Sequence, residues 1–257
     1  MVVVIMKPAK VNPALCRGFK VPPVTVTYTT DRVILYALGL GFSADPLDPK
    51  ELDFTFEGAE NFKVAPTFPV AMGDSGMIFG MLIACPGLPE FNPMMLLHGE
   101  QRVDLLRPVP TSGTFVVKGE IVDVADKTSG ALVVERFSLY DGENLHISDL
   151  YCKLFIRGIG GFGDKGIMTD QLPPIPKRSP DKTTTQRVLP SQALLYRLSG
   201  DKNPLHVSKD FAEMGGFDRP ILHGLCTYGI GAKAVLKEMC DYDVTRFKTI
   251  YVSPHPG

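Results

Sequence analysis

A carboxylate and an imidazole stand five residues apart in the stretch YRLSGDKNPLH, as Asp201 and His206. Between them lie Pro204, which stiffens the backbone, and Asn203, whose side chain can hold a turn by bonding to it. Residues 220–224, PILHG, then open a helical pattern. A carboxylate and an imidazole on a stiff loop beside a helix N-terminus suit a site that moves a proton while an oxygen gains negative charge.

The same two residues also have an ordinary structural explanation. An Asp next to Gly and Pro is usually a turn residue, and a single His is more often a hydrogen-bonded core residue than a catalyst. The choice between these interpretations therefore depends on the rest of the chain.

Composition sets the class of protein and excludes several partners. A chain of 257 residues can bury one large core or two modest ones, and 44% hydrophobic and 21% charged residues are ordinary for a globular protein. The net charge of -1 gives no overall field that favours nucleic acid or an anionic membrane, so we expect neither as a partner. An anionic ligand must be held by local cations or backbone N–H groups.

The cysteine residues and the two ends of the sequence indicate the kind of cellular compartment in which the protein is expected. The five Cys residues are scattered and contain no C-x-x-C, which favours a reducing compartment and small core thiols over a disulfide or zinc framework. We therefore expect no metal. The apolar start is too short for a secretory signal, no run approaches the ~18 residues of a membrane span, and residues 254–257 are not an S-K-L type peroxisomal address.

Periodicity and turn residues predict an α+β chain in two halves. The first half is predicted to contain an extended arm, a helix that begins near Thr29 and ends at Gly39, a short strand at 52–56 and a helix-permissive stretch at 66–77. Four long strands joined by short turns follow between residues 102 and 157, as in an antiparallel meander. The second half is predicted to contain a strand at 183–189, helices at 208–214 and 224–239, and a strand at 246–253.

Residues 158–163, GIGGFG, formally match the dinucleotide fingerprint G-x-G-x-x-G. That motif requires a helix directly afterwards, and the four prolines between 170 and 180 forbid one. The stretch 158–182 is therefore predicted to be a linker that contains the domain boundary.

Several ordered motifs together resemble one family. They are 64–70 (VAPTFPV), 97–101 (LHGEQ), 158–163, 196–207 (YRLSGDKNPLHV) and 216–227 (GFDRPILHGLCT). In this order they are similar to the hydratase 2 family of (R)-specific, MaoC-like 2-enoyl-CoA hydratases, which also forms the hydratase part of peroxisomal multifunctional enzymes type 2. The resemblance covers roughly residues 20–250.

The resemblance implies a double hot-dog fold, in which each half wraps a sheet round a central helix and the two sheets join. A weak repeat agrees with two copies of one unit, because 35–39 (LYALG) echoes 195–200 (LYRLSG). The expected domains are residues 1–157, which provide a wall for the acyl chain and CoA, the linker 158–182, and residues 183–257, which carry the catalytic loop. The family pattern continues beyond 246–250, so we expect the second hot dog to lack its last strands. A truncated gene model, a splice variant and completion by a partner remain open.

The resemblance also implies a reaction, the reversible hydration of trans-2-enoyl-CoA to (3R)-3-hydroxyacyl-CoA in fatty acid β-oxidation, by a hydro-lyase without a cofactor. Asp201 and His206 are expected to activate the water and shuttle the proton together, and the Gly224 N–H to bind the thioester oxygen. The residues expected to bind or support the substrate are Tyr36, Glu57, His98, Gly99, Lys127 and Asn203, with Asn203 equally suited to bracing the loop.

Two other functions remain open at this point. One is an inactive acyl-CoA-binding or assembly subunit, and the other is an acyl-CoA thioesterase on the same fold. By resemblance alone, we expect a peroxisomal protein that acts as a homodimer or as part of a multifunctional enzyme.

Overall fold

The structure, a computed structural model, describes residues 7–72, 75–168 and 177–252. Its helices are α1 (Pro13–Cys16), α2 (Thr30–Gly39), α3 (Pro49–Leu52), α4 (Ser75–Ala84), α5 (Gln192–Tyr196), α6 (Lys209–Met214) and α7 (Gly224–Cys240). Its strands are β1 (Val24–Tyr28), β2 (Leu96–Leu105), β3 (Gly113–Asp126), β4 (Gly130–Tyr140), β5 (His146–Arg157) and β6 (Thr249–Val252). Short 3-10 turns lie at Phe68–Ala71, Pro93–Met95, Arg197–Ser199, Pro204–His206 and Val244–Arg246.

The strands form one antiparallel sheet in the order β1-β3-β4-β5-β2-β6. The predicted meander is confirmed for β3, β4 and β5, which pair consecutively through short turns. It is wrong for the first of the four strands, because β2 pairs with β5 and β6 and not with β3. In β5 buried residues alternate with partly exposed ones, so one face covers the core, whereas most residues of β4 are buried. The second half contributes β6, which pairs with β2 from Gln101↔Val252 to Asp104↔Thr249. The strand described in the second half therefore extends the sheet of the first half, in the way expected where the sheets of a double hot-dog fold join.

The two echoed segments of the repeat pack on each other. A Cβ built on Gly39 of α2 would lie 3.3 Å from the Tyr196 Cα of α5, so only glycine allows this approach without displacement. The amide of Gln192 donates to the Gly39 carbonyl, and the rings of Tyr36 and Tyr196, which are equivalent in the repeat, have centroids 5.9 Å apart. Contact between equivalent residues is the geometry expected near a two-fold axis.

Helix α7 lies against the chain that follows α2. A Cβ built on Gly229 would lie 2.5 Å from the Leu40 side chain, so this helix also depends on a glycine for close packing. The predicted apolar stripe is confirmed at Tyr228, Ala232 and Leu236, which are buried. It is wrong at Val235 and Met239, which are each 48% exposed, because they lie on the outer face of the helix.

The linker is fastened to the first half by charged side chains. Arg17 bonds Asp123 at 2.8 Å and bonds both carboxylate oxygens of Asp164. The backbone of the glycine-rich stretch bonds to another part of the same chain: the Gly161 and Gly163 N–H groups donate to the Asp126 carboxylate. Instead of cradling a pyrophosphate, these N–H groups hold a turn, in agreement with the interpretation of the stretch as a linker.

Three predicted elements differ from the structure. Residues 52–56 do not form a strand, because Asp48 caps α3 and the N–H groups of Phe54 and Phe56 bond carbonyls of α3. Residues 183–189 have no regular structure and pair with no strand among the described residues; Gln186 instead bonds the Leu40 carbonyl through its side chain. The arm is not fully extended, because it contains α1. None of the described helices is both long and apolar enough to cross a bilayer.

Candidate active site

A tight loop holds Asp201 in place. One carboxylate oxygen, Oδ1, accepts the Asn203 N–H at 3.0 Å, and Asn203 Oδ1 in turn accepts the Leu205 N–H at 3.0 Å. These successive turns brace the loop and use the Asn203 oxygen. The geometry of Asn203 therefore matches its role as a brace, and Asp201 Oδ2 remains directed at His206.

The tautomer of His206 follows from its partner. His206 Nδ1 lies 2.9 Å from the Ile221 carbonyl oxygen, which can only accept, so Nδ1 carries the hydrogen. In the neutral ring Nε2 then has a lone pair, and it lies 4.0 Å from Asp201 Oδ2. The His206 side chain is 10% exposed and that of Asp201 29%, so the pair lies at the edge of the protein interior, within reach of water.

The gap between these two atoms suits a bridging water. A distance of 4.0 Å is too long for a direct hydrogen bond. A water about 2.8 Å from both atoms would meet them at an angle of about 90°, which is compatible with donating one proton to each. The structure thus brings Asp201 and His206 together around one position from which a water can be deprotonated.

His223 supports this pair, although sequence reasoning assigned it only to the start of the helix. It is the N-cap residue of α7, but its side chain makes no capping bond. Instead, Nε2 donates to the Asp201 carbonyl oxygen at 3.1 Å, and the ring stacks on His206 with centroids 3.7 Å apart. The Tyr196 ring also packs against the His223 ring, with a centroid distance of 5.0 Å. His223 therefore links the loop of Asp201 and His206 to α7, and nothing local in the sequence indicated this.

The burial of His223 makes stability depend on pH. Burial, and next the nearby His206, lower the pKa of His223 to about 4, while Asp201 opposes the shift. An unfolded His titrates at about pH 6.5, so between these two pKa values the unfolded state binds a proton that the folded state does not. We expect the free energy of unfolding to fall as the pH is lowered through this window. Urea unfolding of the wild type and of His223→Asn at several pH values should show a shallower slope in the variant; equal slopes would contradict the assignment.

Asp201, His206 and His223 each offer one ligand atom, and these atoms lie within 4.8 Å of one another. The two imidazoles are stacked with an interplanar angle of 26°, so their in-plane lone pairs lie in nearly parallel planes. Tetrahedral metal ligands must instead point at one centre. The arrangement therefore fits proton transfer better than metal binding.

Gly224 begins α7 beside this loop. The first N–H groups of a helix have no intrahelical acceptor, and the positive end of the helix dipole favours a negative oxygen there. A Cβ built on Gly224 would have no atom within 4 Å, so there is open space next to its backbone. An oxygen that gains charge can approach the Gly224 N–H from this space.

Of the residues predicted to bind or support the substrate, Tyr36 is buried in the core and Glu57 is exposed. Tyr36 is fully buried, its hydroxyl bonds Thr67, and its ring packs near that of Tyr196, a position suited to support of the site and not to its lining. Glu57 lies in an exposed turn after α3, and no hydrogen bond or ion pair joins it to another predicted residue within the described chain. Its role stays a prediction.

His98, Gly99 and Lys127 lie at one end of the sheet. Gly99 is the bulge residue of β2, between His98↔Leu154 and Glu100↔Lys153. Desolvation lowers the pKa of His98, while bonds with Gln101 and the Glu100 backbone, and the charge of Asp201, oppose the shift. Lys127 is exposed in the turn between β3 and β4, so it remains a candidate cation for a phosphate.

A narrow apolar cavity lies in the first half, close to the start of α7. Its volume is about 30 Å³, room for about one water molecule, and Leu225, next to Gly224, is one of its walls. Its other lining residues are Pro69, Val70, Met72, Met77, Ile78, Gln101, Val117, Phe137, Leu139, Leu150 and Cys152. A larger open groove, between residues 178–184 and the outer face of α7, is lined by none of the predicted site residues.

Comparison with known proteins agrees with this architecture. The family described as the MFE-2 hydratase 2 N-terminal domain matches residues 26–158, and the MaoC like domain matches residues 171–253. The chain is 42% identical over 238 residues to mouse peroxisomal multifunctional enzyme type 2, covering 91% of this chain and 32% of that protein. It is 39% identical over 234 residues to a Dictyostelium discoideum protein named probable enoyl-CoA hydratase 2, covering 90% of this chain and 78% of that protein.

Among solved structures, a MaoC-like dehydratase from Phytophthora capsici superposes with a TM-score of 0.84 at 37% identity, covering 95% of this chain and 83% of that one. The chain therefore spans about a third of the mouse enzyme but most of two shorter relatives. The hot-dog architecture, the ordered matches of both halves and this level of identity establish that the chain belongs to the MFE-2 hydratase 2 family of MaoC-like proteins.

Proposed function

We propose that this chain catalyses the reversible hydration of trans-2-enoyl-CoA to (3R)-3-hydroxyacyl-CoA. The observation that carries the proposal is the position shared by Asp201 Oδ2 and His206 Nε2, which are 4.0 Å apart, beside the first N–H of α7. The names of the relatives, enoyl-CoA hydratase 2 among them, support the same chemistry.

The reaction needs three events, and the site offers a group for each. The water must lose a proton as its oxygen attacks C3, and the lone pair of His206 Nε2 and the carboxylate of Asp201 can both accept from it. The thioester oxygen gains enolate charge, which the Gly224 N–H and the dipole of α7 stabilise. C2 then takes a proton from the same pair of side chains. Addition of water changes no overall oxidation level, so the chemistry calls for no redox cofactor.

The substrate is proposed to lie across both halves. The acyl chain enters the apolar cavity, whose methionines Met72 and Met77 can move to admit it. The CoA part extends over the end of the sheet with His98 and Gly99, where Lys127 can offset a phosphate charge. In this arrangement the first half supplies walls and the second half supplies the chemistry.

The cellular setting is proposed from the relatives. Several are named peroxisomal, and some are multifunctional enzymes, so we infer that this chain acts in peroxisomal β-oxidation, as a homodimer or within a larger enzyme. Co-localisation of a fluorescent fusion with a peroxisomal marker, and the mass of the purified protein by sedimentation, test the two parts separately.

The activity is tested with purified protein and a trans-2-enoyl-CoA. We expect loss of the absorbance of the conjugated thioester and a product of (3R) configuration by chiral chromatography. Release of free CoA, detected with a thiol-reactive dye, would instead identify a thioesterase. Binding by calorimetry without turnover would identify an inactive acyl-CoA-binding subunit.

Replacing Gly224 by Ala tests the oxyanion position. The methyl group would enter the open space beside the N–H, so the fold should persist, while the thioester oxygen is held farther away. We expect kcat to fall by about 100-fold, the cost of a misplacement of about 1 Å. Gly231→Ala is a matched control, because a Cβ there also meets no atom within 4 Å but lies farther along α7. Equal kcat in both variants would remove Gly224 from the mechanism.

A further inference from the structure

Glu135, on strand β4, is a buried acid without a bonding partner. It is 0% exposed, and neither carboxyl oxygen has a hydrogen-bond partner in the part of the chain that the structure describes. The two other buried acids of this part, Glu51 and Asp123, are paired. Glu51 Oε1 lies 3.3 Å from Lys233 Nζ. Asp123 Oδ1 accepts from Arg17 Nε at 2.8 Å. Glu135 therefore differs from them in that no described group compensates for its burial.

The strand register places Glu135 beside the apolar cavity. Phe137, two residues farther along β4, projects from the same face of the sheet, and Cys152 lies directly opposite Glu135 on β5. Both Phe137 and Cys152 line the cavity. Opposite side chains of an antiparallel pair have Cβ atoms about 5 Å apart. The Glu135 side chain therefore extends from the cavity face of the sheet, next to two of the cavity walls.

Three paired residues on β4, β5 and β2 form a polar row across the sheet: Glu135, Cys152 and Gln101. Gln101 also lines the cavity. The Cys152 thiol donates to Gln101 Oε1 at 3.3 Å, and Gln101 Nε2 donates to the Arg102 carbonyl at 3.1 Å. Glu135 is therefore the member of the row whose side chain bonds no described group.

The buried acid is neutral. Burial raises the pKa of Glu135 well above its usual range, in line with the cost of a charge that has no partner in the protein interior. A neutral carboxyl has one O–H donor and an acceptor oxygen. It can therefore pair with a hydroxyl group, which also has one donor and acceptor lone pairs. An anionic group on a ligand would instead need a cation, and Glu135 provides none.

We propose that Glu135 gives the acyl site a preference for chains that carry a hydroxyl group on their hydrocarbon part, an inference that rests on the proposed function. The Glu135 O–H donates to the oxygen of the ligand hydroxyl, and the carboxyl C=O accepts from it. A purely hydrocarbon chain would cover the acid and leave its polar atoms unpaired, which costs free energy. The reacting end of the substrate stays beside Gly224, because Leu225, the next residue, forms another wall of the same cavity.

Calorimetry with saturated acyl-CoAs measures this preference without turnover, because a chain without a double bond is not hydrated. The ligands are octanoyl-, decanoyl-, dodecanoyl- and tetradecanoyl-CoA, each compared with its ω-hydroxy form. At the chain length that brings the hydroxyl to Glu135, the ratio of the two dissociation constants should favour the hydroxylated chain by about 10- to 100-fold more in the wild type than in Glu135→Leu. Equal ratios in the two proteins at every length overturn the proposal.

Two further variants show whether the carboxyl itself is responsible. Glu135→Gln keeps a donor and an acceptor at the same distance from the backbone, so it should retain most of the preference. Glu143→Leu makes the leucine substitution in the exposed turn before β5 and should leave the ratio as in the wild type. A preference lost equally in Glu143→Leu would mean that the effect does not come from the cavity.

Stability separates a binding group from a structural one. Leucine fills a similar volume without polar atoms, so Glu135→Leu should unfold at the same urea concentration as the wild type or at a higher one. Unfolding of both Glu135→Leu and Glu135→Gln at clearly lower urea would show that the acid makes bonds that hold the core, and would overturn the proposal. If enoyl-CoA is hydrated but the binding ratios are equal, only the role of Glu135 fails; if the ratios differ without turnover, only the proposed reaction fails.

Discussion

Asp201→Asn and His206→Gln are each expected to lower the hydration rate by about 100- to 10,000-fold, the span of a lost general acid or base. Asn at position 201 keeps the size of the side chain and the bond from the Asn203 N–H but removes the charge that faces His206. Gln at position 206 removes the ring lone pair at Nε2. Because both groups bind one water, the double variant should be scarcely slower than the worse single variant. The measurement is kcat for a trans-2-enoyl-CoA.

Matched controls separate catalysis from general damage. Asp218→Asn and His146→Gln make the same substitutions outside the site and should retain most of the activity. Circular dichroism should show folded protein in all variants. If the Asp201 and His206 variants turned over substrate as fast as these controls, the two residues would have no part in the reaction.

Glu51→Gln is expected to destabilise the fold by about 3–5 kcal/mol, the usual cost of breaking a buried ion pair. Glu51 is 3% exposed, and Oε1 accepts from Lys233 Nζ at 3.3 Å and from the Tyr242 hydroxyl at 2.8 Å. Oε2 accepts the Ser43 N–H at 2.6 Å. The substitution leaves Lys233, which is 7% exposed, without its carboxylate. Urea unfolding measures the loss.

The reason for this loss can be tested in the same experiment. Combining Glu51→Gln with Lys233→Met removes the uncompensated charge, and we expect the double variant to recover part of the stability. Glu60→Gln, in an exposed turn nearby, should change the free energy of unfolding by no more than about 0.5 kcal/mol. A loss at Glu51 as small as that at Glu60 would mean that this pair does not hold α7 in place.

The sequence determined the elements with strong local signals. The strands β3, β4 and β5 follow from alternation between clear turns, and α7 from its apolar period and the glycine at its start. The loop with Asp201, Asn203 and His206 was readable because all its parts lie within six residues. The strand predicted at 52–56 was wrong because the alternation there is short. Asp48 and Pro49, just before this segment, begin the helix α3 instead.

Only the tertiary structure decided how the site works. The hydrogen on His206 Nδ1 depends on Ile221, 15 residues away, and the stacking of His223 on His206 depends on where α7 begins. The contacts between Tyr36 and Tyr196, and between Glu51 and Lys233, join residues more than 150 positions apart. Local patterns report which face of an element is apolar, but they do not report which distant side chain that face meets, because this depends on the packing of the whole chain.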